Sequence, residues 1–214
     1  MRVGQLLRVS FREFYENSWR LLPVNAALGS ILVAVAFATI VVHAALVLLV
    51  LAGPLAAALV HCAVVLVREG YVTLADARDG LRLHWRRGLL LGAVGAALLG
   101  LGLLAVVFYS RSAMLWPFAF CTVYVFLLLG IYQIVLWTLA IAEPGRPLLA
   151  TAREAAVLVA RRPGSTLLLG LALLAVNAAG IAAAVMPFLT LTIAYTFIAA
   201  AHFALPRPTS EARP

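Results

Sequence analysis

The chain has 214 residues, of which 65% are hydrophobic and only 11% charged, whereas soluble domains carry about 25% charge. So little polar surface cannot cover a water-soluble core, which excludes an ordinary soluble domain and points to apolar runs of at least ~20 residues, the length that crosses a bilayer. The net charge of +8 comes from sixteen arginines and no lysine; they cluster between the apolar runs and form no continuous basic face, which argues against nucleic acid as a partner.

The first twenty residues are mixed in polarity, and the apolar run that follows is far longer than the ~7–15 residues of a signal-peptide core. The N-terminal segment is therefore expected to be retained. Residues 21–67 contain no Asp, Glu, Lys or Arg, and a stretch of that length must fold back as a helical hairpin. The turn is expected near residues 43–47, with Pro54 kinking or opening the second helix.

Residues 68–87 are the most polar segment. Thr73-Leu74-Ala75-Asp76 has the form of a capping box, in which the hydroxyl and the carboxylate both accept from free N–H groups. Leu74, Ala77, Leu81 and Trp85 recur opposite Asp79, Arg82 and Arg86, which predicts an amphipathic helix lying in the interface. Residues 88–109 form a third span, with Gly92, Ala96 and Gly100 as a small-residue stripe for close helix approach. After the turn at Ser110-Arg111-Ser112 comes a fourth span, residues 115–142, with Trp116 and Trp137 expected in the two headgroup zones. Pro147 suits the first turn of a second interfacial helix that runs to about Arg162. Residues 165–185 and 187–205 are the fifth and sixth spans, joined by a turn at Met186-Pro187.

Fifteen of the sixteen arginines fall on one side of this layout; only Arg111 falls on the other. Retained arginines mark the cytoplasmic side, so both termini are expected in the cytoplasm of a bacterial cell, with the chain in its inner membrane. Cys62 and Cys121 sit inside apolar runs and read as small hydrophobes rather than a disulfide.

The chain also resembles itself. An offset of 75 sets Leu74-Ala75-Asp76-Ala77-Arg78-Asp79 on Leu149-Ala150-Thr151-Ala152-Arg153-Glu154, and Arg86-Arg87 on Arg161-Arg162. An offset of 66 sets Arg12-Glu13 on Arg78-Asp79, and Trp19-Arg20 on Trp85-Arg86. Three units follow, about residues 1–67, 68–142 and 143–205, with a short tail at 206–214. The expected fold is an all-α, polytopic membrane protein in one domain. Its six transmembrane helices form three parallel-repeat hairpins, each preceded by an interfacial amphipathic helix.

Gly53-Pro54-Leu55-Ala56-Ala57-Ala58, Val67-Arg68-Glu69-Gly70, and Asp76 with Gly80-Leu81-Arg82 and Trp85 resemble the YesL-type family of bacterial membrane proteins. Ala77 stands where that family usually has an aromatic residue. The family has no established activity; some members are encoded beside carbohydrate ABC importers, and the resemblance implies an accessory role in sugar uptake at most.

No nucleophile elbow, zinc-protease signature or phosphate loop is present, no cofactor is implied, and no catalytic residue can be assigned; a non-enzyme is expected. His61-Cys62 has no partner at metal-ligand spacing, so no metal site is expected either. Deep within the spans there is no Asp, Glu or Arg, which counts against a carrier built on buried carboxylates. The polar intramembrane candidates are His61, Gln133 and Asn177. They could line a polar path of a small transporter or channel, or each could simply bond a neighbouring helix, a contact worth about 0.6 kcal/mol; the second account is the simpler one. Arg78, Arg86, Arg87, Arg153, Arg161 and Arg162 are the candidates for contacts with lipid headgroups or a membrane-protein partner. The leading expectation is an accessory or assembly protein.

Overall fold

The computed structural model describes residues 3–183, 187 and 191–205. Among these there are seven α-helices and no strand: α1 (Val3–Val41), α2 (Leu49–Glu69), α3 (Leu74–Ser110), α4 (Trp116–Ala142), α5 (Leu148–Arg161), α6 (Pro163–Ala182) and α7 (Ile193–Ala204). Five of them, α1 to α4 and α6, are long and apolar enough to cross a membrane. The chain is a helical membrane protein. α7, with twelve described residues, is shorter than a span, and only Pro187 of the expected Met186-Pro187 turn is described. Arg2, Arg207, Arg213 and the tail at 206–214 lie outside the described residues.

The first turn falls where the apolar run requires it. α1 stops at Val41, a short 3-10 segment covers His43–Leu48, and α2 starts at Leu49. Pro54 stays inside α2 without ending it. Gly70 closes α2 in the left-handed conformation, φ +82°, and its N–H donates to the Leu66 carbonyl at 2.8 Å, the backbone shape that glycine adopts without a Cβ penalty. α3 then starts on the expected capping box: the Thr73 N–H donates to Asp76 Oδ2 at 2.6 Å, and the Asp76 N–H donates to Thr73 Oγ1 at 3.4 Å.

The amphipathic starts of the first two units are not separate helices. They run on into α1 and α3, which are 39 and 37 residues long. Polarity changes along each helix without ending it: α1 runs on through Pro23, just past the change, although proline lacks the N–H, and in α3 no proline stands at the change. The third unit does have a break, where α5 ends and α6 begins with Pro163. Proline lacks the N–H and pushes the residue before it out of the helical region; Arg162 has φ −133° and ψ 56°. One detail echoes the offset of 66: Arg20 stacks on Trp19 at 4.8 Å and Arg86 on Trp85 at 5.1 Å from the ring centre.

α2 and α3 pack as an antiparallel hairpin close enough for backbone to touch backbone. A Cβ on Gly88 would lie 2.7 Å from the Gly53 carbonyl oxygen and 2.9 Å from the Pro54 Cα. The core forms where α2 meets α1 and α7, around Leu21, Leu28, Leu59, Val60, Leu66 and Ile198. Trp137, five residues before the end of α4, packs partly buried against this core. Cys62 is buried on α2 and Cys121 exposed on α4, both free.

Candidate functional site

Three places gather polar groups, and each is built differently. The first is the arginine-rich end of the bundle. The last carbonyls of a helix have no partner within it, and cations there are favoured by the helix dipole. Arg87 of α3 donates to the carbonyls of Ala140 (2.7 Å), Glu143 (3.1 Å) and Arg146 (2.7 Å). Arg68 donates to the Ala142 carbonyl at 3.2 Å, and Arg20 of α1 to the Val72 carbonyl at 2.8 Å. Three arginines thus tie α1, α2, α3 and α4 together at one end. Arg87, expected to face lipid or a partner, is occupied within the chain, whereas Arg78 and Arg86 are exposed on α3.

Beside this clamp lies the second place, an open cavity of about 1090 Å³ lined by Tyr132, Arg146, Pro147 and one face of α5. Leu149, Arg153, Val157 and Arg161 repeat at four-residue spacing along that face, so cation and apolar side chain alternate. Leu149 is 85% exposed. Arg146 pairs with Glu143 and Glu154, while Arg153 and Arg161 make no ion pair or hydrogen bond with any described residue. Arg162, at the break between α5 and α6, is exposed. α5 is held to α4 by the Tyr132 hydroxyl, which donates to the Ala152 carbonyl at 3.1 Å.

The third place lies among the spanning helices, in a cavity that is open at its side. The cavity measures about 320 Å³ and lies between α1, α2, α3, α4 and α7. Ala52, Gly53 and Ala56 of α2 and Gly92, Gly95 and Ala96 of α3 give it a floor of small residues, and Leu28, Leu99, Trp137 and Phe197 are among its walls. Of the stripe expected to serve close packing, Gly92 meets α2, its Cβ position 3.2 Å from the Gly53 Cα, and Ala96 lines the cavity; the neighbouring Gly95, outside that stripe, has nothing within 4 Å. A second cavity of about 340 Å³, lined by Val35, Ala36, Thr39 and Leu103, shares Leu32, Leu49 and Leu99 with the first. Gln133 lines the first cavity, and both atoms of its amide are buried with no hydrogen-bond partner.

The structure does not bring His61, Gln133 and Asn177 into one shared site. His61 packs on Gly80, where a Cβ would stand 2.8 Å from its own, and against the ring of His84, centroids 5.1 Å apart. Asn177 Nδ2 donates to the Leu173 carbonyl and to Thr196 Oγ1, both at 2.8 Å, joining α6 to α7. Two polar residues escaped the sequence reading as site residues. His84 is 1% exposed with neither ring nitrogen bonded, and it lies on the amphipathic part of α3, where a histidine draws no notice. Asn25 is wholly buried in α1, and its Oδ1 accepts from the Ala194 N–H at 2.6 Å. No group of three or more His, Cys, Asp or Glu that could hold a metal ion occurs among the described residues.

No protein-family model, no curated protein and no solved structure matches the chain.

Proposed function

We propose that this chain is a non-enzymatic accessory or assembly protein of the bacterial cytoplasmic membrane, a YesL-type protein that docks a membrane-protein partner such as an ABC importer. In this reading α7 completes a sixth span, the three units are repeats, and the arginine-rich end with both termini faces the cytoplasm, as the distribution of arginine favours.

One observation carries the docking reading: Arg153 and Arg161, free of ion pairs, flank exposed apolar side chains on the open face of α5. A rim of unpaired cation around exposed apolar surface suits a partner with an acidic, partly apolar face. A small transporter or channel is the second reading. It would need a shared polar path, and Asn177 and His61 are engaged in separate helix pairs, which supports the first.

The test is recovery of partners from native membranes with the Arg153→Gln/Arg161→Gln double variant. Arg87 stays unchanged because it holds α4. Recovery should fall at least about tenfold, as expected when ~1.4 kcal/mol of interface energy is lost. Undiminished recovery with a correctly inserted variant would sink the docking reading.

A further inference from the structure

We infer that the cavity between α1, α2, α3, α4 and α7 is a binding site for a neutral lipid that carries a carbonyl or hydroxyl group, recognised by the amide of Gln133. This site is separate from the face of α5 and does not depend on the docking reading.

Gln133 lies nine residues before Ala142, about 14 Å along the axis from the end of α4, within a helix apolar enough to span a membrane. No water is at hand at that depth to satisfy a side chain, and an unpaired polar group there costs several kcal/mol. The other intramembrane amides have partners: Asn25 accepts from Ala194, and Asn177 binds Leu173 and Thr196. Gln133 alone among them has both its oxygen and its nitrogen buried without one. It also lines a cavity; both polar atoms are covered by neighbouring groups, so the amide meets a partner in that cavity by turning its side chain toward it.

The remaining walls define that partner. Apart from Gln133 and the indole of Trp137, the lining is Leu, Ile, Phe, Ala and Gly, with no charged side chain. A charged headgroup would stand unpaired there, so the ligand is neutral. The adjoining cavity, sharing Leu32, Leu49 and Leu99, adds length lined by apolar side chains and Thr39, which suits a hydrocarbon chain. A carbonyl would accept from Gln133 Nε2, and a hydroxyl could also donate to Oε1. Diacylglycerols and membrane quinones both carry this chemistry.

The test uses the full chain in detergent micelles, with Trp19, Trp85 and Trp116 changed to Phe so that Trp137, in the cavity wall, is the sole indole. Dioctanoylglycerol and decylubiquinone are the probes, with dioctanoyl phosphatidylglycerol as the charged comparison. At least one neutral probe should change the Trp137 emission saturably, and which one does distinguishes the two sources. Gln133→Leu keeps the apolar volume and should weaken binding roughly tenfold, the loss of about one hydrogen bond. Gly95→Leu, placed where a side chain meets open space, should abolish it. Saturation by neither neutral probe, equal binding by the phosphatidylglycerol, or unchanged affinity in Gln133→Leu would each overturn the inference. So would disulfide formation between copies carrying Gly95→Cys with Cys62 and Cys121 changed to Ala, the latter being exposed and free to cross-link by itself; that result would make a second chain the occupant.

Discussion

His202 near the end of α7 meets Glu13 near the start of α1, Nε2 to Oε2 at 2.7 Å, across 189 positions of sequence. The His202 side chain is 8% exposed and that of Glu13 22%. Together with the Tyr195 hydroxyl, which donates to the Leu7 carbonyl at 3.2 Å, this contact joins the first helix to the last. His202→Leu leaves a mostly buried carboxylate without its partner and should lower stability by about 2 kcal/mol. Reversible unfolding in mixed micelles measures it; a change below about 0.5 kcal/mol would mean the contact is incidental.

Asn25 supplies a third link between the same helices. Its Oδ1 takes the N–H of Ala194 in the first turn of α7, where a helix leaves its N–H groups unpaired. Asn25→Leu should therefore cost about 1–3 kcal/mol and speed hydrogen exchange at the start of α7, whereas Asn25→Asp, which keeps the acceptor, should slow that exchange again. Unchanged exchange in Asn25→Leu would show that Ala194 finds another acceptor.

Arg87 and Arg86 are neighbours with opposite roles. Removing Arg87 uncaps three carbonyls around the end of α4, so Arg87→Ala should destabilise by about 2–3 kcal/mol. Arg87→Lys should recover only part of this, because an ammonium lacks the planar fork that reaches several acceptors at once. Arg86→Ala removes an exposed side chain stacked on Trp85 and should cost no more than about 1 kcal/mol. Equal losses for the two alanine variants would contradict the clamp.

Two glycines of α3 also separate cleanly. Gly88→Ala drives a methyl into the backbone of α2 and should destabilise by more than about 2 kcal/mol, the range of overpacking in a rigid contact. Gly95→Ala meets open space and should be neutral or stabilising by up to about 1 kcal/mol, since alanine is the better helix former. Melting of the two variants in the same detergent decides it, and a tolerated Gly88→Ala would rule out the close crossing of α2 and α3.

The parts legible in the sequence were those written in neighbouring residues. The run without charge from 21 to 67 required a hairpin, and the chain turns between Val41 and Leu49. Thr73 and Asp76, three apart, announced the start of α3. The boundaries drawn where polarity changes did not become helix ends in α1 and α3: no proline stands there in α3, and α1 continues through Pro23, whereas the helix does end at Arg162-Pro163. The candidate sites were hidden for a different reason. Arg87 and Arg162 look alike in sequence, as partners in the offset of 75, yet one caps a distant helix and the other is exposed at the break between α5 and α6. Gln133 was noticed as a polar residue, but its lack of a partner depends on what four other helices fail to offer. Such facts belong to pairings far apart in the chain and leave no periodicity behind.

The break at Arg162-Pro163 has a mechanical consequence. α5 is severed from the ladder of α6 yet fastened to α4 by Tyr132, and the loop before it is gripped at the Arg146 carbonyl by Arg87. Force applied to α5 is therefore transmitted sideways, through Arg146 and Arg87, into α3. One to two turns further along that helix stand Gly92 and Gly95, so a tug on the open face of α5 would be felt as a shift in the floor beneath Gln133.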